Sequence, residues 1–109
     1  MEKIEREDLL FYEPYTHRYF RMTMEEFQNA NEQANWILRQ CGDIRLGCVH
    51  SILGLDLSDS PIEWLLGWMG RKTHRCKHPT KIIDFNYTKV TLEDGMECRI
   101  IQFYPEPIA

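Results

Sequence analysis

The chain has 109 residues, with 13 Lys and Arg against 17 Asp and Glu, a formal net charge of −4 and 43% hydrophobic residues. That is the size of one domain with enough apolar content for a core, and with 6 Gly and 5 Pro it excludes a disordered tail, a collagen-like repeat or a low-complexity linker. No apolar run reaches the roughly 18 to 20 residues of a membrane span, and the acidic start Met1-Glu2-Lys3-Ile4-Glu5-Arg6-Glu7-Asp8 is unlike a secretory signal. A cytoplasmic chain without membrane contact is expected, with Cys41, Cys48, Cys76 and Cys98 as free thiols.

Residues 9–20 hold Phe11, Tyr12, Tyr15, Tyr19 and Phe20 around Pro14, which suits an extended or irregular aromatic arm over 1–22 that needs a surface to pack on. Thr23 and Glu26 have the spacing of a capping box, where hydroxyl and carboxylate each satisfy an unpaired backbone N–H. Met24, Phe27, Ala30, Ala34, Ile37, Leu38 and Cys41 then recur at three and four, and Gly42 suits a left-handed stop, so a helix is predicted over 24–41. Trp36 falls on the opposite side of that helix, among Asn29, Gln33 and Gln40. Ile44-Arg45-Leu46 leads into a short helix through Val49, Ile52 and Leu53 that stops at Gly54, and Ser60-Pro61 opens a third with Ile62, Leu65 and Leu66 before Gly67.

After Gly70 the spacing changes to alternation. Ile83, Phe85 and Tyr87, the turn Glu93-Asp94-Gly95, and Met96, Cys98 and Ile100 predict a hairpin. Residues 71–78 are a candidate edge strand ended by Pro79, and Pro105-Glu106-Pro107 stops regular structure. The expectation is an α+β fold: an N-terminal arm (1–22), then one domain (23–109) with one long and two short helices on a small antiparallel sheet containing a C-terminal hairpin.

Ile44-Arg45-Leu46, Leu53-Gly54-Leu55, Leu66-Gly67-Trp68, Ile83-Asp84-Phe85, Thr88-Lys89-Val90, Asp94-Gly95 and Cys98 to Phe103, taken in order, resemble a family of small uncharacterised proteins carried by conjugative elements and prophages of Gram-positive bacteria. The resemblance covers about 24–105 and implies a context rather than a mechanism. The chain departs from that pattern at Gly47, where an Asn helix cap is expected, and in the His/Cys-bearing stretch 71–79. Leu66-Gly67-Trp68 places a large ring beside a residue without a side chain, so Trp68 is expected in the core, packed flat on backbone. Asp84 reads as the polar member of a strand alternation.

Charge is uneven: residues 1–63 hold 6 basic and 12 acidic side chains, whereas 64–83 hold 5 basic and none acidic. Arg71, Lys72, Arg75, Lys77 and Lys81 form a basic island suited to phosphates, an acidic partner or plain solvation. On a strand, His74, Cys76 and His78 would share a face and suit zinc, but the spacing is unusual for a structural site and the flanking cations oppose it; no cofactor is expected. Cys48 and His50 lie two apart on a helix and cannot pair directly, Cys76 has basic neighbours but no oxyanion donor, and Glu25 with Glu26 and Asp56 with Asp59 read as a helix first turn and a loop.

A Trp on a polar helix face is either covered by the chain's own aromatic arm or forms the anchor of an interface. Both readings bury Trp36. The expectation is therefore a non-enzymatic accessory protein of a mobile element that acts through protein contacts, using Trp36, Phe11, Tyr12 and Tyr15, in a homodimer or with another protein. The alternative is a nucleic-acid-associated module using the 71–81 segment.

Overall fold

The computed structural model describes residues 8–72 and 78–109. In chain order it contains β1 (Leu9–Glu13), β2 (Arg18–Met22), α1 (Met24–Cys41), β3 (Asp43–Arg45), α2 (Leu46–Ile52), α3 (Ile62–Leu65), β4 (Gly67–Met69), β5 (Asp84–Thr91) and β6 (Glu97–Tyr104). The α+β expectation holds: helices cover one face of a four-stranded sheet ordered β2-β1-β6-β5, and β3 and β4 form a second, two-stranded sheet.

Residues 9–22 are a hairpin rather than an irregular arm, with Phe11 opposite Phe20 and Glu13 opposite Arg18. Pro14 does not break a strand because it sits in the turn between two. The Glu13 carboxylate organises that turn, accepting from the Tyr15 amide at 2.6 Å and the Thr16 amide at 2.8 Å, and His17 takes a left-handed φ of 57°. β1 then lies parallel to β6 through Phe11↔Arg99 and Tyr12↔Ile100, so the sheet is mixed, not purely antiparallel.

α1 has the predicted bounds, with a complete Thr23–Glu26 capping box and Gly42 at φ 88°. Its inward stripe meets a row of rings: Phe11 stacks on Phe27 at 4.8 Å, Phe85 meets Phe103 at 5.0 Å, and Trp68 meets Phe103 edge-on at 5.5 Å. Each buried ring of this kind contributes about 1.5–3 kcal/mol. Trp68 is in the core as expected, but its fixed neighbours are the Phe103 ring and the Pro105 carbonyl, to which its Nε1 donates at 2.7 Å.

Two asparagines fasten α1 to the start of β5. Asn35 accepts from the Ile83 amide at 2.7 Å and donates to the Ile83 carbonyl at 2.8 Å; Asn31 accepts from the Phe85 amide at 3.1 Å. Buried backbone that enters a sheet from a loop needs such partners.

The short elements differ from their predicted limits for steric reasons. α3 is a single turn that ends before Leu66, and Gly67 begins β4 rather than closing a helix, because a Cβ there would lie 2.5 Å from the Ile44 carbonyl oxygen. At Gly47 a Cβ would meet the Glu63 carbonyl oxygen at 2.9 Å, so glycine in place of the expected cap residue allows α3 to approach α2. The tail returns after Pro107, where Gly67 and Ile108 exchange both backbone hydrogen bonds.

Trp36 is 56% exposed, so cover by the chain's own aromatic segment, the reading that buried it within one molecule, is overturned. The hairpin packs through Phe11 and Phe20 against the opposite stripe of α1 and leaves Trp36 uncovered. Arg71, Lys72 and His78 belong to no strand, and the rest of the candidate edge strand, 73–77, lies outside the described residues.

Asn35→Leu, which leaves the Ile83 amide unpaired, should lower stability by about 2–4 kcal/mol in urea unfolding. A loss below about 0.5 kcal/mol would show that the asparagine tether contributes little.

Candidate functional site

Three elements distant in sequence meet at one buried imidazole. α2 carries His50 inward, the end of β1 supplies Glu13, and α3 supplies Glu63; His50 and Glu13 are 0% exposed and Glu63 is 2% exposed. His50 Nδ1 lies 2.5 Å from Glu63 Oε2, and Nε2 lies 3.3 Å from Glu13 Oε1 without the alignment of a hydrogen bond. The ring thus lies between the two carboxylates, one at each nitrogen. Arg18, opposite Glu13 across the hairpin, reaches Glu63 Oε2 at 3.1 Å and donates to the backbone carbonyl of Asp56. The two buried acids thus have a guanidinium, an imidazole and hydroxyl and amide donors around them, the polar partners that buried carboxylates need.

The second oxygen of Glu63 accepts from the Ser58 amide at 2.5 Å and the Ser58 hydroxyl at 2.7 Å. Burial pushes the Glu63 carboxyl up, but the hydrogen bonds from His50 and Ser58 outweigh it and hold the group at about 2. Glu13 behaves alike: burial raises it, and the His50 ring, the Thr16 hydroxyl and the Tyr15 amide bring it below the usual carboxylate range.

The network is sealed, and its consequence lies on the surface above it. Glu63 points inward from the single turn of α3, so its neighbour Trp64 points out at 67% exposure, with Leu65 exposed beside it and Leu57 at 70% in the preceding loop. Asp56 and Asp59 are exposed in the same stretch, and 56–65 contains no Lys or Arg. An apolar, acid-rimmed turn stands out from the fold and is fixed from beneath by charge. This is the arrangement expected of a presented contact surface, where Trp is a frequent anchor.

The chain belongs to a family of unknown function, DUF6353, matched over residues 1–109. No curated protein and no solved structure matches it.

The residues singled out from sequence are scattered by the fold. Phe11 is fully buried in the core and offers no partner surface. Tyr15 is half-buried and stacked on Phe103 at 6.1 Å. Tyr12 lies on the sheet face away from α1, hydrogen-bonded through its hydroxyl to His17 Nδ1 at 2.8 Å and tilted against the exposed Tyr19. Trp36 stands alone on α1. Arg71 and Lys81 line one cavity, Lys72 is exposed, and Arg75 and Lys77 lie outside the described residues.

His74 and Cys76 also lie outside the described residues, and His78 is exposed next to Pro79. Among the described residues no three His, Cys, Asp or Glu side chains gather around a common point for a metal, and no helix is long and apolar enough to cross a membrane. Cys41, Cys48 and Cys98 are free thiols; burial pushes Cys48 and Cys98 up, away from the thiolate form a nucleophile needs. His50 does not face Cys48; its two nitrogens are directed at Glu63 and Glu13.

Sequence spacing could not assemble this site, since Glu13, His50 and Glu63 come from three separate elements. The available signal was a charged residue placed among apolar ones: Glu63 beside Ile62, and His50 beside Val49.

Both carboxylates are lowered on folding, so their contribution is present above the ordinary carboxylate value near 4.5 and is lost as pH falls below it, for Glu63 down to about 2. Stability from urea unfolding should decline across that window. Glu63→Gln should flatten the decline and cost about 3–5 kcal/mol at neutral pH, the usual effect of breaking a buried pair. An unaltered slope in the variant would remove Glu63 from the acid response.

Proposed function

We propose that this protein is a non-enzymatic accessory protein of a mobile genetic element, cytoplasmic, that works by binding another protein through the turn at 57–65. One observation carries the reading: Trp64, at 67% exposure, follows directly after Glu63, at 2%. Folding pays to bury an ionised carboxylate at Glu63, and the turn so fixed leaves a bare indole and two leucines in water. A loop left to itself would fold such groups under. Held rigid, they lose little entropy on contact and suit a preformed hydrophobic pocket.

The partner is a protein whose apolar cleft accepts an indole and whose rim carries Lys or Arg facing Asp56 and Asp59. Trp36 supplies a second exposed aromatic on α1, available to the same partner or to a second copy of the chain. The mobile-element context is supported by the ordered motifs from Ile44-Arg45-Leu46 to the Cys98–Phe103 strand, and membership of a family of unknown function is compatible with it.

Affinity capture from the source cell should retain a stoichiometric partner with the wild-type chain and lose it with Trp64→Ser combined with Leu57→Ser, both of which alter exposed positions and leave unfolding unchanged. Equal recovery by the double variant, or a monomer with no partner, would contradict the proposal.

A further inference from the structure

Where α1 ends, the backbone is drawn into a tight crossing. The Gly70 amide donates to the Gly42 carbonyl at 2.7 Å, and the Thr80 amide donates to the Met69 carbonyl at 2.8 Å, which brings the end of α1, the end of β4 and the approach to β5 side by side. Glycine is required at the crossing: Gly42 has φ 88°, and a Cβ on it would lie 2.2 Å from Arg71 Nε. A cavity of about 480 Å³ opens there, lined by Arg39, Gly42, Gly70, Arg71, Thr80 and Lys81 among others. Two arginines, a lysine and Thr80 line it, and among the described residues no carboxylate does.

This is unexpected in a chain with a net charge of −4. Part of the charge has a local explanation. The carbonyl end of a helix attracts cations, and Arg71 serves it directly, donating from one terminal nitrogen to the Cys41 carbonyl at 2.8 Å. That bond occupies one of the five guanidinium N–H groups. Arg39 and Lys81 have no carboxylate within ion-pair distance among the described residues. Like charges repel, so converging cations without acids are stabilised by an anion that enters between them.

We infer that this cavity is a binding site for a compact, multiply charged anion, the di- or triphosphate group of a small molecule, held by Arg39, Arg71 and Lys81 with the Thr80 hydroxyl. The guanidinium groups of Arg39 and Arg71 match paired phosphate oxygens, Lys81 adds a point charge, and Thr80 donates one neutral hydrogen bond. A concave pocket walled by two glycines suits a folded polyphosphate better than a nucleic-acid strand, which needs an extended groove and stacking rings. Among the described residues no aromatic side chain lines this cavity. The site stands apart from the turn at 57–65 and does not depend on the function proposed for it.

Isothermal titration of the full chain at low salt with pyrophosphate, tripolyphosphate and ATP tests the site. The expected result is one equivalent bound, with amide shift changes at Gly42, Gly70 and Thr80 in the wild type, and affinity about tenfold lower in Arg39→Gln and in Lys81→Gln. Both substitutions are at exposed positions, and the wild-type shift map locates the site should either variant fold poorly. ATP binding more tightly than tripolyphosphate identifies a nucleotide, and equal binding identifies the polyphosphate alone; either supports the site. Absence of binding at millimolar anion, shifts that map elsewhere, or binding of a single-stranded oligonucleotide without binding of pyrophosphate or tripolyphosphate would overturn it.

Discussion

The arrangement of this molecule depends on one imidazole placed between two carboxylates. His50 is fully buried, and so are Glu13 and Glu63 on either side of it. An ionised carboxylate loses far more solvation on burial than any single hydrogen bond returns, so each acid has to find several partners at once. Glu13 finds His50, the Thr16 hydroxyl and the Tyr15 and Thr16 amides; Glu63 finds His50, Arg18 and Ser58. These partners belong to the first hairpin, to α2 and to the 57–65 segment. Meeting their demands at one point fixes three pieces of backbone relative to one another.

This explains how a single helical turn can be a reliable structural element. A helix of four residues is not stable by propensity, because nucleation costs more than one turn returns. α3 stands because Glu63 is tied to α2 and to Ser58, and because Gly47 allows the close approach. The aromatic row beneath the sheet supplies the bulk of the hydrophobic stabilisation; the ionic cluster decides where the turn sits and which residues face water.

The legible parts of the fold were those with local signals. α1 could be read to the residue because its cap, stripe and glycine stop all act within one or two turns, and the β5–β6 hairpin because alternation brackets Asp94-Gly95. The first hairpin was not legible: Glu13, a charged side chain, occupies an inward position where alternation calls for an apolar one, and Pro14 resembled a break rather than a turn. Trp36 lies on the expected side of α1; of the two ways to bury it, cover by the aromatic segment fails because that segment packs on the opposite stripe, which leaves the interface. The site was the least legible. Its members are separated by 13 residues between His50 and Glu63 and by more between Glu13 and His50, and only the fold brings them together.

Native-state hydrogen exchange on His50→Gln is the most direct measurement of this account. Loss of the shared imidazole should speed exchange of the Tyr15, Thr16 and Ser58 amides together and by a similar factor, with the middle of α1 and the β5–β6 ladder still protected. Faster exchange confined to one side of the cluster, or unchanged protection on both, would mean that the hairpin and the 57–65 segment are held independently.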